Sequence, residues 1–289
     1  MIKLIHIGSI VLCILSTILF VFSGFYLNRN VDAHGPEINM EQTEIEVSIH
    51  ATEEDLLQGI TATDKKDGDV TDSLLVESMG LFIDSGKRKV IIDAFDNNHN
   101  VTKVERTIQY IDYTSPRIRI SNPLRVPLND INQLMDFITV EDCLEGDITD
   151  AIQITPMENV TSFTLPGEYK MKLMVSNSVG DVVEVPVVVE LYDNLSDSSK
   201  PKAMLSEYLI YTKVGESINP QDYLIGFVQR NVAYEWSALV PGLTVPYTRE
   251  QVSIENNVDT ATPGVYEIIY SMTDVGYTTN IRQVVVVEE

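Results

Sequence analysis

The chain is poor in cysteine, tryptophan, histidine and positive charge. Its 289 residues include 2 cysteines, 1 tryptophan and 4 histidines, and 20 basic side chains stand against 43 acidic ones. Cys13 lies in an apolar N-terminal run and Cys143 far downstream, so no disulfide framework can form. The folded parts must therefore hold by packing alone, and Cys143 reads as a variable loop residue. His6, His34, His50 and His99 are scattered, without a paired nucleophile or metal-ligand spacing, and no glycine-rich phosphate loop is present. The common catalytic sets are thereby excluded, and the chain is expected not to be an enzyme. A formal net charge of −23 repels phosphate backbones, which excludes nucleic acid as a partner and favours solubility and attraction to cations or basic surfaces.

Long hydrophobic runs are also scarce, with one exception at residues 4–27. At about 1.5 Å per residue that run can cross a hydrocarbon core of about 30 Å, and it exceeds the apolar region of about 7–15 residues in a cleavable signal peptide. The expectation is an uncleaved signal anchor, a transmembrane helix within residues 1–30. Val21, Phe22 and Ser23 keep cleavage open as the alternative. Leu12 before Cys13 is unlike a lipoprotein signal, and no Glu stands near the start as in type IV pilins. Lys3 precedes the run and Arg29 follows it, so basic residues hardly decide its orientation. The β-rich remainder does. The expected location is the cell membrane, single-pass, with the C-terminal domains extracellular and the membrane contacted through residues 4–27.

What the chain does have is a duplicated acidic loop. Residues 60–74 read ITATDKKDGDVTDSL and residues 138–152 read ITVEDCLEGDITDAI, one Asp, Gly, Asp, Thr, Asp frame used twice. Each copy is followed by a glycine and an alternating strand. Gly86 leads into Val90, Ile92 and Ala94 and then the turn Asp96 to Asn100. Gly167 leads into Tyr169, Met171, Leu173 and Val175. Gly264 leads into Tyr266, Ile268, Tyr270 and Met272 without an acidic loop before it. Period-two alternation buries one face of a strand, and Asn, Asp and Gly suit the return turn.

The acidic loop (Ala62-Thr63-Asp64 through Gly68-Asp69-Val70-Thr71), the turn Asp96 to Asn100, and Val258-Asp259-Thr260 with Thr262-Pro263-Gly264-Val265-Tyr266 resemble bacterial immunoglobulin-like repeat domains of surface proteins. These are related to the repeats of a pesticidal crystal toxin and to hyalin-repeat-like modules. The resemblance covers about residues 36–289. It implies an all-β fold of three tandem immunoglobulin-like β-sandwich domains after the N-terminal transmembrane helix. The expected boundaries are 36–113, 114–193 and 202–289, with the polar, proline-ended stretch 194–201 as a linker.

Asp64, Asp67, Asp69 and Asp72 crowd four carboxylates into nine residues, a density of hard oxygen ligands that suits Ca²⁺, although not at EF-hand spacing. The other reading is a loop turned by Asp69 and Thr71 through side-chain to backbone hydrogen bonds, with Gly68 at positive φ. Turn formation is the leading reading; a weak Ca²⁺ site is its alternative. No other cofactor is expected.

Function follows as a non-catalytic, membrane-anchored bacterial surface protein whose domains act as a stalk or adhesion module, with a surface protein or glycan as ligand. The alternative is a carbohydrate-binding accessory module of the cell envelope. A planar row of exposed aromatics would favour the second, and Tyr208, Tyr211, Tyr223, Tyr234 and Trp236 make residues 202–289 the expected binding end.

Overall fold

The computed structural model describes residues 2–30, 33–128, 130–157, 163–193, 197–239 and 245–289, with side chains described from residue 8 to 23 in the first of these segments. The first three residues of the expected linker, 194–196, lie outside the described residues. The chain divides into two compact units, Met1–Tyr113 and Thr114–Glu289.

The first unit opens with helix α1 (Ile2–Asn30). The single-pass membrane reading of residues 4–27 is corrected here, because among the described residues no helix is long and apolar enough to cross a membrane. The expected placement in the cell membrane falls with it.

The rest of the unit is β structure: β1 (Glu37–Met40), β2 (Glu44–Val47), short helix α2 (Glu53–Leu57), β3 (Ile60–Asp64), β4 (Gly68–Asp69), β5 (Leu75–Asp84), β6 (Lys87–Phe95) and β7 (Val101–Tyr110). One sheet has the order β1-β3-β4 and the other β2-β7-β6-β5, with β2 parallel to β7. Alternation along β6 and β7 sends Val90, Ile92 and Ile108 into a core shared with Val47, Leu56, Ile60 and Tyr110. Thr52 starts α2 with a reciprocal capping box to Asp55, which satisfies two of the helix's orphan donors.

The second unit repeats this wiring twice. Strands β8 (Arg117–Ile120), β9 (Arg125–Pro127), β10 (Ile138–Asp142), β11 (Gly146–Asp147), β12 (Gln153–Pro156), β13 (Gly167–Ser176) and β14 (Val182–Tyr192) form the sheets β11-β10-β8 and β12-β13-β14-β9. Strands β15 (Lys202–Leu205), β16 (Leu209–Lys213), β17 (Leu224–Gln229), β18 (Val232–Glu235), β19 (Ser253–Asn256), β20 (Gly264–Asp274) and β21 (Tyr277–Glu288) form β15-β17-β18 and β16-β21-β20-β19. The last sheet pair thus keeps the wiring without the acidic loop. Where the other two place that loop, it joins β17 to β18 through Arg230 and Asn231, at φ 52° and 61°. Tyr169 and Tyr266 each donate a hydroxyl hydrogen bond to the carbonyl four residues upstream, Leu165 and Thr262, and so pin the entry to β13 and β20.

Within this unit the two sheet pairs share one continuous hydrophobic core, from Ile118 through Leu173 to Tyr208 and Val285. Arg117 ion-pairs with Glu288 at 2.5 Å and lies 4.2 Å from the Tyr211 ring centroid. The Tyr211 hydroxyl in turn accepts from the Ile118 N–H at 3.0 Å. Arg282 binds Glu168 and Glu267 together. Asp197, inside the stretch expected to be a polar linker, is 3% exposed and is held by Arg125 and Lys202, each at 2.9 Å.

Candidate functional site

The two acidic loops have the same internal geometry. Asp64 Oδ1 accepts from the Lys66 and Asp67 N–H groups at 2.7 and 2.9 Å, and Asp142 Oδ1 accepts from Leu144 and Glu145 at 2.8 and 3.0 Å. Asp69 and Asp147 each accept from the N–H of the threonine two residues on. The Thr71 and Thr149 hydroxyls then accept from Ala62 and Val140 across the loop. Gly68 and Gly146 sit at φ +79° and +77°, the left-handed region that the turn requires. These hydrogen bonds hold Asp64, Asp69 and Asp147 below the usual carboxylate range.

Each loop is tied to the hairpin that follows its sheet. Asp67 accepts from the Asn97 N–H at 3.0 Å, as Glu145 does from Ser178 at 2.7 Å. At the next position the two units differ. Asn177 donates through Nδ2 to Asp142 at 3.0 Å, whereas the first unit has Asp96 there, with its charge set against Asp64. Asp96 compensates by accepting from Asn98, from the Asn100 N–H and from the Asn100 amide.

Of the four carboxylates considered for Ca²⁺, Asp64, Asp67 and Asp69 accept backbone N–H groups and Asp72 lies exposed on the following 3₁₀ turn. Among the described residues no group of three or more His, Cys, Asp or Glu converges as a metal site. His34, His50 and His99 lie in a connector, beyond the end of β2 and in the β6–β7 turn. The five aromatics named for the binding end do not form an exposed row. Tyr208 is buried, Tyr234 stacks on Phe227 at 4.8 Å, and Trp236 donates its Nε1–H to the Tyr247 carbonyl.

The feature missed by sequence reasoning is Arg106. It occupies an inward position of β7, between half-buried Val104 and buried Ile108, and is 2% exposed. Its Nη1 donates to the Leu56 and Gln58 carbonyls at 2.7 and 2.8 Å, closing the end of α2 as a cation at a helix C-terminus does. Among the described residues its Nε has no acceptor, and burial pushes the guanidinium below its ordinary pKa. The sequence did carry a signal, a charged residue in core register on an alternating strand. Arg106 lines a cleft of 610 Å³, within the range of about 300–1,000 Å³ for small-ligand sites, together with Glu41, Gln42, Ile45, Glu46, Val47, His50 and Gln58.

No protein-family model matches the chain. The chain is 25% identical over 251 residues to the pesticidal crystal protein Cry22Aa of Bacillus thuringiensis, across 84% of this chain and 32% of that protein. The chain therefore spans about a third of the length of this curated relative. The homology is weak and consistent with a β-rich domain of the surface type. Among solved structures, the second CBM51 domain with GlcNAc and the INT domains of Clostridium perfringens ZmpB is 15% identical, covering 54% of this chain and 41% of that one at a TM-score of 0.22. The extracellular domain of protocadherin GammaB4 is 10% identical, covering 89% and 49% at a TM-score of 0.20. Overlaps at these scores say nothing about activity.

Proposed function

We propose that this chain is a non-catalytic binding or adhesion module in which immunoglobulin-like β domains, bounded at 36–113, 114–193 and 202–289, present a ligand-binding surface on a stiff support. The observation that carries the reading is the joint in the second unit. Asp197 is buried between Arg125 and Lys202, and one hydrophobic core runs through both sheet pairs. A spacer needs this kind of joint, because a solvated linker leaves neighbouring domains free to move. The duplicated acidic loop supports the same reading, since its side chains are spent on turning and clasping the chain. The alternative, a carbohydrate-binding accessory module, draws its support from the cleft above Arg106 rather than from an aromatic platform.

The test is retention of the full chain on panels of cell-envelope glycans and of surface proteins, with the eluate analysed for cleaved products. Saturable retention without turnover is the expected result. Product release, or failure to retain any ligand on either panel, would sink the proposal.

A further inference from the structure

The internal repeats show what the fold requires at the Arg106 position, and it is not an arginine. Counting four residues from the glycine that opens each long hairpin gives Val90, Met171 and Ile268; their cross-strand partners are Arg106, Val187 and Gln283. Val187 fills its place with hydrocarbon alone and is 2% exposed. Gln283 is fully buried, and both ends of its amide are satisfied: Nε2 donates to the Glu207 carbonyl at 2.9 Å and Oε1 accepts from the Tyr270 hydroxyl at 2.8 Å. Arg106 likewise contacts backbone, through Nη1, but among the described residues its Nε has no acceptor and its guanidinium no ion-pair partner. A buried, uncompensated cation is unfavourable for folding, and two repeats of the same fold avoid it.

The rest of the cleft narrows what the cation is kept for. With Nη1 committed to backbone and Nε enclosed, Nη2 is the guanidinium nitrogen left for a ligand, and a carboxylate oxygen would meet it in a charge-assisted hydrogen bond. Ile45, Val47 and Ala51 line part of the cleft with hydrocarbon. Gln42, Gln58 and His50 are exposed hydrogen-bonding groups, and Glu41 and Glu46 add acceptors. Asp55 also lines the cleft but is occupied by Thr52 in the capping box. Those acidic groups disfavour a dianion such as phosphate more than a ligand carrying one negative charge, and their oxygens can accept the hydroxyls of such a ligand.

We propose that the cleft of the first unit binds a monocarboxylate sugar of the uronic-acid type, its carboxylate on Arg106 and its hydroxyls on the amide and carboxylate groups of the rim. The proposal rests on the binding-module reading and assigns it a ligand class.

The test titrates the full chain, its arginine side chains labelled for Nε–Hε NMR, with D-glucuronate. D-glucose serves as the neutral analogue, N-acetylglycine as a peptide-type carboxylate and inorganic phosphate as the dianion. Arg106→Gln copies the residue already used at Gln283, so the fold should survive, and circular dichroism checks that it does; Gln58→Ala at the exposed rim gives a second variant. Glucuronate is expected to shift the Arg106 Nε resonance and to bind at least tenfold more tightly than glucose, N-acetylglycine or phosphate. Arg106→Gln should lower its affinity at least tenfold and Gln58→Ala several-fold.

An unmoved Arg106 Nε resonance, or unchanged affinity in folded Arg106→Gln, would overturn the site. N-acetylglycine or phosphate binding as tightly as glucuronate would overturn the sugar assignment. Glucose binding equally would overturn the role of the charge. If glucuronate fails while the full chain is still retained on envelope glycans, this inference alone has failed; if both fail, the binding-module reading has failed with it.

Discussion

Asp197→Ala tests the joint of the second unit most directly. The carboxylate is almost fully buried and bridges Arg125 and Lys202. Removing one member of a fully buried pair costs about 3–5 kcal/mol. The structure argues for less than that. Arg125 keeps its two-pronged contact with Glu190 at 2.6 and 2.8 Å, and Lys202 keeps the Asp197 backbone carbonyl at 2.8 Å. The expected loss is about 2–3 kcal/mol, which for a unit of this size lowers Tm by about 4–12 °C.

The pH dependence gives a second handle on the same residue. Burial pushes the Asp197 carboxyl up, but hydrogen bonds and charge from Arg125 and Lys202 outweigh it and hold the group below its usual range. A depressed folded-state pKa gives stability that is present above the unfolded value of about 3.9 and is lost as pH falls through the folded one. The gap in Tm between the natural chain and Asp197→Ala should therefore be full at pH 7 and shrink below about pH 4. Differential scanning calorimetry at both pH values reads this. Unchanged melting at pH 7, or a gap that stays constant into acid, would refute the view that the ion cluster holds the joint.

Other substitutions probe the loops. Gly68→Ala and Gly146→Ala put a side chain at positive φ where a Cβ meets nothing within 4 Å, so the cost is backbone strain alone, about 1–2 kcal/mol in each unit. Gly68→Asn should recover much of it, and equal loss in the Asn variant would count against a left-handed turn. Asp96→Asn sets an amide against the Asn100 amide and should destabilise the first unit. The double change Asp96→Asn with Asn100→Asp reproduces the Asn177 and Asp181 pair, and chemical denaturation should show it more stable than the single variant. Weak Ca²⁺ binding at Asp64, Asp67, Asp69 and Asp72, with a Kd near 1 mM, adds only about 0.4 kcal/mol at 1 mM calcium. Melts in EDTA and in CaCl₂ measure it, and a rise of many degrees that Asp69→Asn abolishes would make the loops metal sites.

Much of the local structure was legible because its causes lie within a few residues. Alternation from Gly86, Gly167 and Gly264 marked the strands that carry Val90, Leu173 and Tyr270 into the cores, since period two sends every second side chain to one face. The Asp, Gly, Asp, Thr frame carried its own turn chemistry, since Asp69 and Thr71 find acceptors and donors inside the loop. Where the partner is distant in sequence, only the folded chain could decide. Arg106 meets the Leu56 and Gln58 carbonyls some fifty positions away, and Asp197 meets Arg125 seventy-two away, so the core register of Arg106 could flag a buried charge but nothing beside either residue names its partners. The wiring of the last sheet pair belongs to the same class: without an acidic loop to mark it, β15 to β21 adopt the order of the other two because burying the alternating faces of β20 and β21 leaves the chain that arrangement, whichever turn connects β17 to β18.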